Sequence, residues 1–251
     1  MSAGRALPPT SPFAGDDGRA DPGLAAALAA HADGRADVAA VVAALTGTRV
    51  LVPVLAELDS AEQVEVGGHA HTVEKEASAG IVALRAPDGR TALPVFSAVA
   101  AMSAWRSDAR PVPTAVARAA LSAVTEGWEL LVLDPGGPVT VLLPRPAVWA
   151  LAQQQVWQPA VTGADEGRAV DPAVRAAVRA VVVRALTTAG GEVLRAVDAV
   201  PGRRAEVAVE LVLVPGLARG DLDAVLRRVG DALGADDTVT RRVDSIEVRV
   251  H

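Results

Sequence analysis

The sequence IVALRAPDGRTALPVF, residues 81–96, decides the fold class of this chain. Its apolar ends flank residues 87–90 (PDGR), in which proline presets φ and glycine accepts a positive φ. Two apolar runs joined by such a turn predict a β-hairpin. Because Pro94 has no backbone N–H, we expect the second strand to lie at a sheet edge or at a bulge.

A second hairpin is predicted in residues 128–143, WELLVLDPGGPVTVLL, with its turn at residues 134–137. Two hairpins of this kind predict a mainly antiparallel sheet with flanking helices, which is an α+β fold and not a doubly wound sheet. A continuously apolar run at residues 50–55 predicts a further strand that is covered on both faces.

Helix signals surround these strands. Asp21 followed by Pro22 is typical of a helix start, and apolar residues at helical spacing predict a second helix at 36–45. Ser97 is predicted to cap a helix that residues 110–113 (RPVP) interrupt, and another helix is expected at 114–125. The element order of the first module is therefore predicted as α-α-β-β-β-α-α-β-β-α.

The C-terminal part predicts a smaller module of the order α-β-β-α-β. Asp171 caps its first helix, and alternating apolar residues in 205–214 and 246–250 predict strands with one buried face. The domain organisation expected from the sequence is a flexible arm (1–21), a first domain (22–158), a linker (159–170) and a C-terminal module (171–251).

Composition excludes several classes of function. The chain has 30 acidic and 24 basic residues, a net charge of −6 and 2% aromatic residues, so we expect no nucleic-acid partner. It has no cysteine, which excludes thiolate zinc sites and cysteine nucleophiles. No apolar run has the length of a membrane span, and residues 1–23 do not resemble a secretory signal. We therefore expect a cytoplasmic protein that has no membrane partner.

The segment 57–76 is the most acidic part of the chain. It carries six acidic residues against Lys75, and it is predicted to be a loop or an irregular hairpin tip that faces a basic partner or only solvent. The residues that we expect to face such a partner are Glu62, Glu65, Glu74 and Glu76.

Two histidines in the acidic segment, His69 and His71, are weak candidates for metal ligands. On an extended strand they would point to the same side and could share a metal ion with Glu65 or Glu74. Protein zinc sites need three or four ligands, so the alternative is an exposed loop tip without metal.

Residues 105–111, which we call the corner, combine residue types that are enriched at binding hot spots. The residues expected to bind a partner here are Trp105, Arg106, Asp108 and Arg110. The alternative is a helix end at which the tryptophan covers the core edge and the arginines neutralise the helix C-terminus. The helix within 174–186 has a broad apolar surface, which we expect to pack on the first module or against a second copy of the chain.

No sequence motif points to catalysis. No serine lies in a G-x-S-x-G elbow, and neither glycine-rich phosphate-binding pattern is present. Paired acids such as Asp16-Asp17 and Asp236-Asp237 are expected to be solvated caps or turns. We therefore expect no enzymatic activity and no cofactor.

The first module resembles the N-terminal domain of SseB-family proteins, in the form common in actinobacteria. The resemblance covers residues 13–159 and departs at 75–80, where such proteins often carry an Asp that is missing here. The matching elements are residues 13–18 (FAGDDG), 51–54 (LVPV), 87–90 (PDGR), 93–96 (LPVF), Trp105, 110–113 (RPVP), 133–138 (LDPGGP) and 144–146 (PRP).

The resemblance implies an uncharacterised cytoplasmic domain whose family label records a phenotype, enhanced serine sensitivity, and supplies no catalytic residues. The expected function is that of a non-catalytic protein-interaction or scaffold module. The alternative is a small-molecule-binding regulatory domain with a pocket between its sheet and its helices.

Overall fold

The computed structural model describes residues 12–55, 63–66, 69–74, 82–163, 167–187 and 193–251, with only the backbone described for 63–66 and 69–74. The described chain forms two compact units, one of Met1–Pro144 with Val148–Val156 and one of Arg145–Ala147 with Trp157–His251. Helices flank mostly antiparallel sheets, which confirms the predicted α+β class.

The first unit contains the two predicted hairpins and the helices around them. In chain order, its described elements are α1 (Pro22–Ala32), α2 (Val38–Leu45), β1 (Arg49–Val54), β2 (Gln63–Val66), β3 (His69–Glu74), β4 (Ala83–Arg85), β5 (Thr91–Val95), α3 (Val99–Trp105), β6 (Arg110–Ala115), α4 (Val116–Thr125), β7 (Leu130–Leu133), β8 (Val141–Leu143) and α5 (Arg145–Ala152), the first three residues of which belong to the second unit.

The main sheet of the first unit has the strand order β2-β3-β4-β5-β7-β8. The hairpin at residues 81–96 forms as predicted, and Gly89 in its turn has a φ of 86°. The hairpin at residues 128–143 also forms, as β7 and β8. The two hairpins meet through β5 and β7, which are parallel, so the carboxyl ends of these two strands lie side by side.

Pro94 lies inside this sheet and not at its outer edge. The Asp134 N–H donates to Val95 O (2.9 Å), so the odd-numbered residues of β5 face β7 and the even-numbered ones face the other side. On that other side, Ala92 pairs with β4 and Phe96 bridges to Leu51 of β1. The missing N–H of Pro94 therefore falls where the partner strand changes from β4 to β1.

Residues 110–113 separate two helices, as predicted, but they also begin β6, a strand that was not predicted. This strand pairs with β1 in antiparallel register, with Leu51 opposite Pro113 and Pro53 opposite Pro111. A residue that precedes proline is restricted to extended backbone, so the R-P-V-P pattern is compatible with a strand.

The two prolines of β6 lie where a strand tolerates them. Leu51 directs its N–H and C=O to Phe96, away from β6 (2.8 and 2.9 Å), so Pro113 opposite it also faces away from β1. Pro111, two residues earlier, faces the same way. The free edge of β6 thus presents carbonyl groups but lacks the N–H donors that these two positions would otherwise supply.

The acidic segment was predicted to be a loop or hairpin tip, and its described part is a regular hairpin of β2 and β3 that extends the main sheet. Its alternation of Val64 and Val66 with polar neighbours is a strand pattern.

The second unit is a three-stranded sheet with helices packed against it. Its described elements are β9 (Val161–Thr162), β10 (Ala169–Val170), α6 (Pro172–Thr187), β11 (Leu194–Pro201), β12 (Val207–Leu213), α7 (Arg219–Gly234), α8 (Asp237–Arg242) and β13 (Ile246–Val250). The strand order is β11-β12-β13, with β11 antiparallel and β13 parallel to β12. Its core contains the buried face of β12 and the apolar faces of α6 and α7.

Two features of the second unit go beyond the predicted α-β-β-α-β order. Residues 237–242, for which no helix was predicted, form α8, and the carboxylate of the preceding Asp236 caps it by accepting the N–H groups of Thr238 and Val239 (3.0 and 3.1 Å). The segment predicted as a linker carries β9 and β10, and Ala160, which precedes β9, and Val170 of β10 are buried in the core of this unit.

Candidate functional site

A buried polar cluster lies where the parallel strands β5 and β7 end. Ser97 follows β5 after Phe96, and Asp134 follows β7 directly. The Ser97 N–H donates to Asp134 Oδ1 (2.8 Å), and the Ser97 hydroxyl donates to Oδ2 (2.7 Å). Both residues are only 6% exposed. One serine therefore occupies both oxygens of a buried carboxylate.

The backbone of Asp134 also holds the turn that it begins. Its φ is +50°, a region in which Asp and Asn are the more tolerant of the non-glycine residues. The Asp134 carbonyl accepts the Gly137 N–H (3.1 Å) and the Thr140 hydroxyl (2.9 Å). Burial raises the pKa of the Asp134 carboxyl, and the two hydrogen bonds from Ser97 oppose that rise.

Arg49 at the start of β1 connects this cluster to the chain ahead of α1. Its Nη1 donates to Ser97 O (2.6 Å), while its Nε and Nη2 bind the two carboxylate oxygens of Asp16. The side chains of Arg49 and Asp16 are 13% and 12% exposed. The Arg49 hydrogen bond lowers the pKa of Asp16, burial opposes it, and the Gly18 N–H lowers it further.

We call Asp16, Arg49, Ser97 and Asp134 the polar junction. It joins residue 16, which belongs to the predicted flexible arm, to β1, the end of β5 and the turn after β7. Asp16 was expected to be solvated, and instead it forms a mostly buried ion pair. The arrangement fixes the Ser97 hydroxyl as a donor and holds three segments of backbone in place. The role of the polar junction is therefore structural.

Sequence analysis predicted a different role for Ser97. Ala98 is the N-cap of α3, no side chain caps that helix, and the Ser97 side chain bonds to Asp134. The signal for this pairing is that Ser97 and Asp134 each follow a buried strand. This signal predicts the pairing only when β5 and β7 are known to be parallel neighbours.

The corner begins with Trp105, the last residue of α3. Its ring lies 5.2 Å from that of Phe96, and it packs against two buried clusters, one of which contains Leu51 and Met102. Its indole nitrogen is buried and has no hydrogen-bond partner among the described residues. The indole thus covers the edge of the core.

Arg106 and Asp108 form an ion pair beside this tryptophan. Arg106 Nε and Nη2 donate to the Asp108 carboxylate (3.0 and 2.9 Å), and this hydrogen bonding lowers the pKa of Asp108. Arg110 opens β6 and is exposed, and Val112 on the same face of the strand is 43% exposed. The corner therefore presents an ion pair, an arginine and a neighbouring apolar side chain.

The remaining predicted site residues lie in the acidic segment. His69, His71 and Glu74 lie in β3, and Glu65 lies in β2 opposite Ala70. The side chains of these four residues, and all of Glu62 and Glu76, lie outside the described part of the chain. The predicted metal site and the predicted acidic contact therefore stay predictions.

The second unit has a cleft of about 330 Å³ between β13, α7 and α8. Gly230 and Gly234 of α7 line it, and a Cβ added at either position would meet no atom within 4 Å. The other lining residues are Arg145, Leu233, Val239, Thr240, Val243, Asp244, Ser245, Ile246 and Val248. The cleft is thus mainly apolar with a few polar groups.

A partly buried carboxylate, Glu206, lies beside the polar end of this cleft. It accepts the Asp244 N–H (2.6 Å), and Asp244 Oδ1 accepts the Arg145 N–H (2.9 Å). Burial raises the pKa of Glu206 above its ordinary value, and the hydrogen bond from the Asp244 N–H opposes that rise.

The described residues were also compared with the requirements of a metal site and of a membrane-spanning helix. In the part of the chain that the structure describes, no group of three or more His, Asp or Glu residues is placed to hold a metal ion. Among the same residues, no helix is both long enough and apolar enough to cross a bilayer.

Comparison with known proteins gives one match. The family model described as the SseB protein N-terminal domain matches residues 24–150, about half of the chain, which confirms the family resemblance of the first module. No curated protein and no solved structure is similar enough to the chain to match it.

Proposed function

The chain belongs to the SseB family through its N-terminal domain, and from this premise we propose that it is a non-catalytic protein-interaction module whose first unit binds its partner at the corner. One observation carries the proposal: Arg110 and Val112 are exposed side by side on a strand that two prolines stiffen. A partner segment with an apolar side chain and a nearby carboxylate fits this surface.

The rigidity of the corner supports binding. Proline has few backbone conformations, and the hydrogen bonds between Arg106 and Asp108 already hold both side chains in place. Little conformational entropy is then lost when a partner docks, so more of the contact energy appears as affinity.

The charge at the corner supports a partner that carries a carboxylate. Asp108 is ionised at neutral pH, the hydrogen bonds from Arg106 lower its pKa further, and the two side chains neutralise each other. Arg110 adds a positive charge that shows no ion pair among the described residues, and a guanidinium binds a carboxylate through two parallel hydrogen bonds.

The acidic segment 57–76 is the second contact that we propose, and it serves a basic region of the partner. Its six acidic residues against one lysine are the support for this contact. Since rim charges of this kind mainly affect the association rate, neutralising them is expected to slow binding more than it speeds dissociation.

The test is quantitative capture of partners from native cell extract by the full-length chain. The corner variant is Arg110→Ala with Val112→Ser. Its matched control is Arg118→Ala with Leu121→Ser, because these two residues are also exposed and lie on α4 of the same unit. Both variants lose one arginine and one exposed aliphatic side chain.

We expect a partner that the wild-type chain and the control recover equally and that the corner variant recovers at least tenfold less. Equal recovery by all three chains would contradict the corner as the contact. A separate bait, in which Glu62, Glu65, Glu74 and Glu76 are changed to Gln, tests the acidic segment independently.

A small-molecule-binding function is the second candidate, and the cleft of the second unit is the observation that favours it. Its volume of about 330 Å³ lies at the lower end of the range for ligand pockets. Gly234→Leu would fill the cleft, so a metabolite that stabilises the wild-type chain against heat should fail to stabilise this variant. Stabilisation of both chains alike would place the metabolite elsewhere.

A further inference from the structure

β13 of the second unit has an open edge. Ser245 O accepts the Val207 N–H (3.2 Å), and the His251 N–H donates to Leu211 O (2.9 Å), so the odd-numbered residues of this segment face β12. Ile246, Val248 and Val250 consequently direct their N–H and C=O groups to the other side. No other strand of the described residues pairs with β13 there.

The same three residues also expose apolar side chains. In the register with β12, Ile246, Val248 and Val250 lie opposite Val207, Val209 and Leu211. The β12 residues are fully buried, whereas Val248 and Val250 are 37% and 42% exposed. Exposed apolar edges invite pairing with another strand, and proteins usually protect them with proline, lysine or a bulge. β13 contains no proline or lysine.

We propose that β13 pairs in antiparallel fashion with β13 of a second copy of this chain, about a two-fold axis at Val248. This register places Val248 opposite itself and Ile246 opposite the second copy's Val250. The three facing pairs of even-numbered residues direct their N–H and C=O groups toward each other, and at two hydrogen bonds for each pair the two strands exchange about six backbone hydrogen bonds.

Charge complementarity favours a second copy over an unrelated strand. Within one chain Arg249 already contacts Glu247 and Glu210 (Oε1 at 3.4 Å). In the proposed register Glu247 also lies opposite the second copy's Arg249, and Arg249 opposite its Glu247, so the ion pairs of the two copies join into one cluster of alternating charge. Opposite charges that face each other across two strands stabilise the pairing, whereas like charges oppose it. Moving the axis by two residues, to Ile246 or Val250, loses both charge pairs and shortens the paired length.

The cleft leaves room for the added strand. Val248 lines the cleft, and the open space at Gly230 and Gly234 lies on the same side. Val248 and Val250 of the second copy would then lie beside the same residues of β13, next to the cleft. The join would produce one continuous six-stranded sheet from two three-stranded ones.

The first test is the oligomeric state of the full chain by sedimentation over a range of concentrations. Val248→Pro removes the central outward N–H and should weaken the dimer at least tenfold. Val248→Thr keeps that N–H and a similar shape, so it should dimerise like the wild-type chain. Circular dichroism of both variants checks that the second unit is still folded.

The second test uses disulfide trapping, because the chain contains no cysteine. Residues that form a hydrogen-bonded antiparallel pair have Cα atoms about 5.5 Å apart, which a disulfide can span. Under oxidant, Val248→Cys should give a covalent dimer, whereas Val183→Cys, 47% exposed on α6, should not.

Two results would overturn the proposal. One is a wild-type chain that sediments as a monomer at every concentration. The other is a dimer that persists in a folded Val248→Pro variant and is trapped at residue 183 and not at residue 248. Neither result depends on the corner, which lies in the first unit, so failure here is distinguishable from failure of the proposed function.

Discussion

The exposed strand edges of the two units, β6 in the first and β13 in the second, differ in their outward N–H groups. In the first unit, β6 pairs with β1 on one side, and prolines stand at two positions whose N–H groups would face the other side. In the second unit, β13 pairs with β12 on one side and keeps its outward N–H groups, next to exposed valines. The first edge resists an added strand, and the second edge accepts one.

The two units also differ in their cavities. The polar junction of the first unit is mostly buried and closed by its own hydrogen bonds, whereas the second unit has a cleft beside its open edge, with the internally hydrogen-bonded Glu206 at the polar end of the cleft. We infer a division of labour, in which the first unit offers the preorganised corner to a partner and the second unit pairs with a second copy.

Removing the Asp134 carboxylate should disrupt the polar junction of the first unit and have the largest effect on the free energy of unfolding. Asp134→Ala leaves the Ser97 N–H and hydroxyl buried without acceptors, so we expect it to lower the free energy of unfolding by about 3 kcal/mol. Asp134→Asn keeps one acceptor, gains a donor and tolerates the positive φ, so it should cost less than about 1 kcal/mol. Urea denaturation of both variants measures this, and equal losses would contradict the role of the carboxylate.

Replacing Arg49 should have the next largest effect. Arg49→Met keeps much of the side-chain volume but leaves Asp16 without its cation and Ser97 O without its donor, for an expected loss of about 2 kcal/mol. Hydrogen exchange at the Gly18 N–H, which donates to Asp16 Oδ1 (2.7 Å), should become faster. Unchanged exchange at Gly18 would show that Arg49 does not hold this segment.

The two carboxylates of the polar junction should respond to pH in opposite directions. The pKa of Asp134 is raised above its ordinary value of 3.8, so its contribution to stability is present below pH 3.8 and is lost as the pH rises through its folded pKa. The pKa of Asp16 is lowered, so its contribution is present above pH 3.8 and is lost as the pH falls through its folded pKa.

Denaturation of the wild-type chain, Asp134→Asn and Asp16→Asn across this pH range measures the contrast. The stability difference between wild type and Asp134→Asn should fall as the pH rises, and the difference between wild type and Asp16→Asn should fall as the pH drops. Curves that stay parallel for either pair would show that the carboxyl titrates alike in the folded and unfolded states.

Replacing the β6 prolines should open the first edge with the smallest effect on stability. Pro111→Val with Pro113→Val restores two outward N–H groups, so we expect new self-association with a change in unfolding free energy below about 1 kcal/mol. The control replaces two exposed loop prolines, Pro138 and Pro215, with valine. If light scattering finds no more association in the β6 variant than in the control, the prolines do not guard this edge.

Local patterns predicted much of this fold. The turn at 87–90, the helix cap at Asp21 and the alternation in 246–250 each depend on neighbours in the sequence, and the structure confirms each of them. The helix break at residues 110–113 was predicted, but the strand β6 was not. Proline is excluded from a strand that is paired on both sides and is tolerated on the free side of an edge strand. Which side is free depends on β1, about 60 residues earlier in the chain.

The polar junction could not be predicted for a similar reason. Ser97 has a signal for a helix cap and Asp134 has one for a turn, and each signal accounts for its residue locally. Their hydrogen bonds require β5 and β7 to be parallel neighbours, which two hairpins in a sequence do not determine. The corner residues were identified by type alone, and their binding role stays a prediction.

The most direct test of the account compares the two edges in one experiment, by residue-resolved hydrogen exchange of the wild-type chain at low and high concentration. The account predicts that the N–H groups of Ile246, Val248 and Val250 exchange more slowly at high concentration. The N–H group of Ala115, which faces the free side of β6 and is not replaced by a proline, should not change. Exchange at β13 that is independent of concentration, or new protection confined to β6, would contradict it.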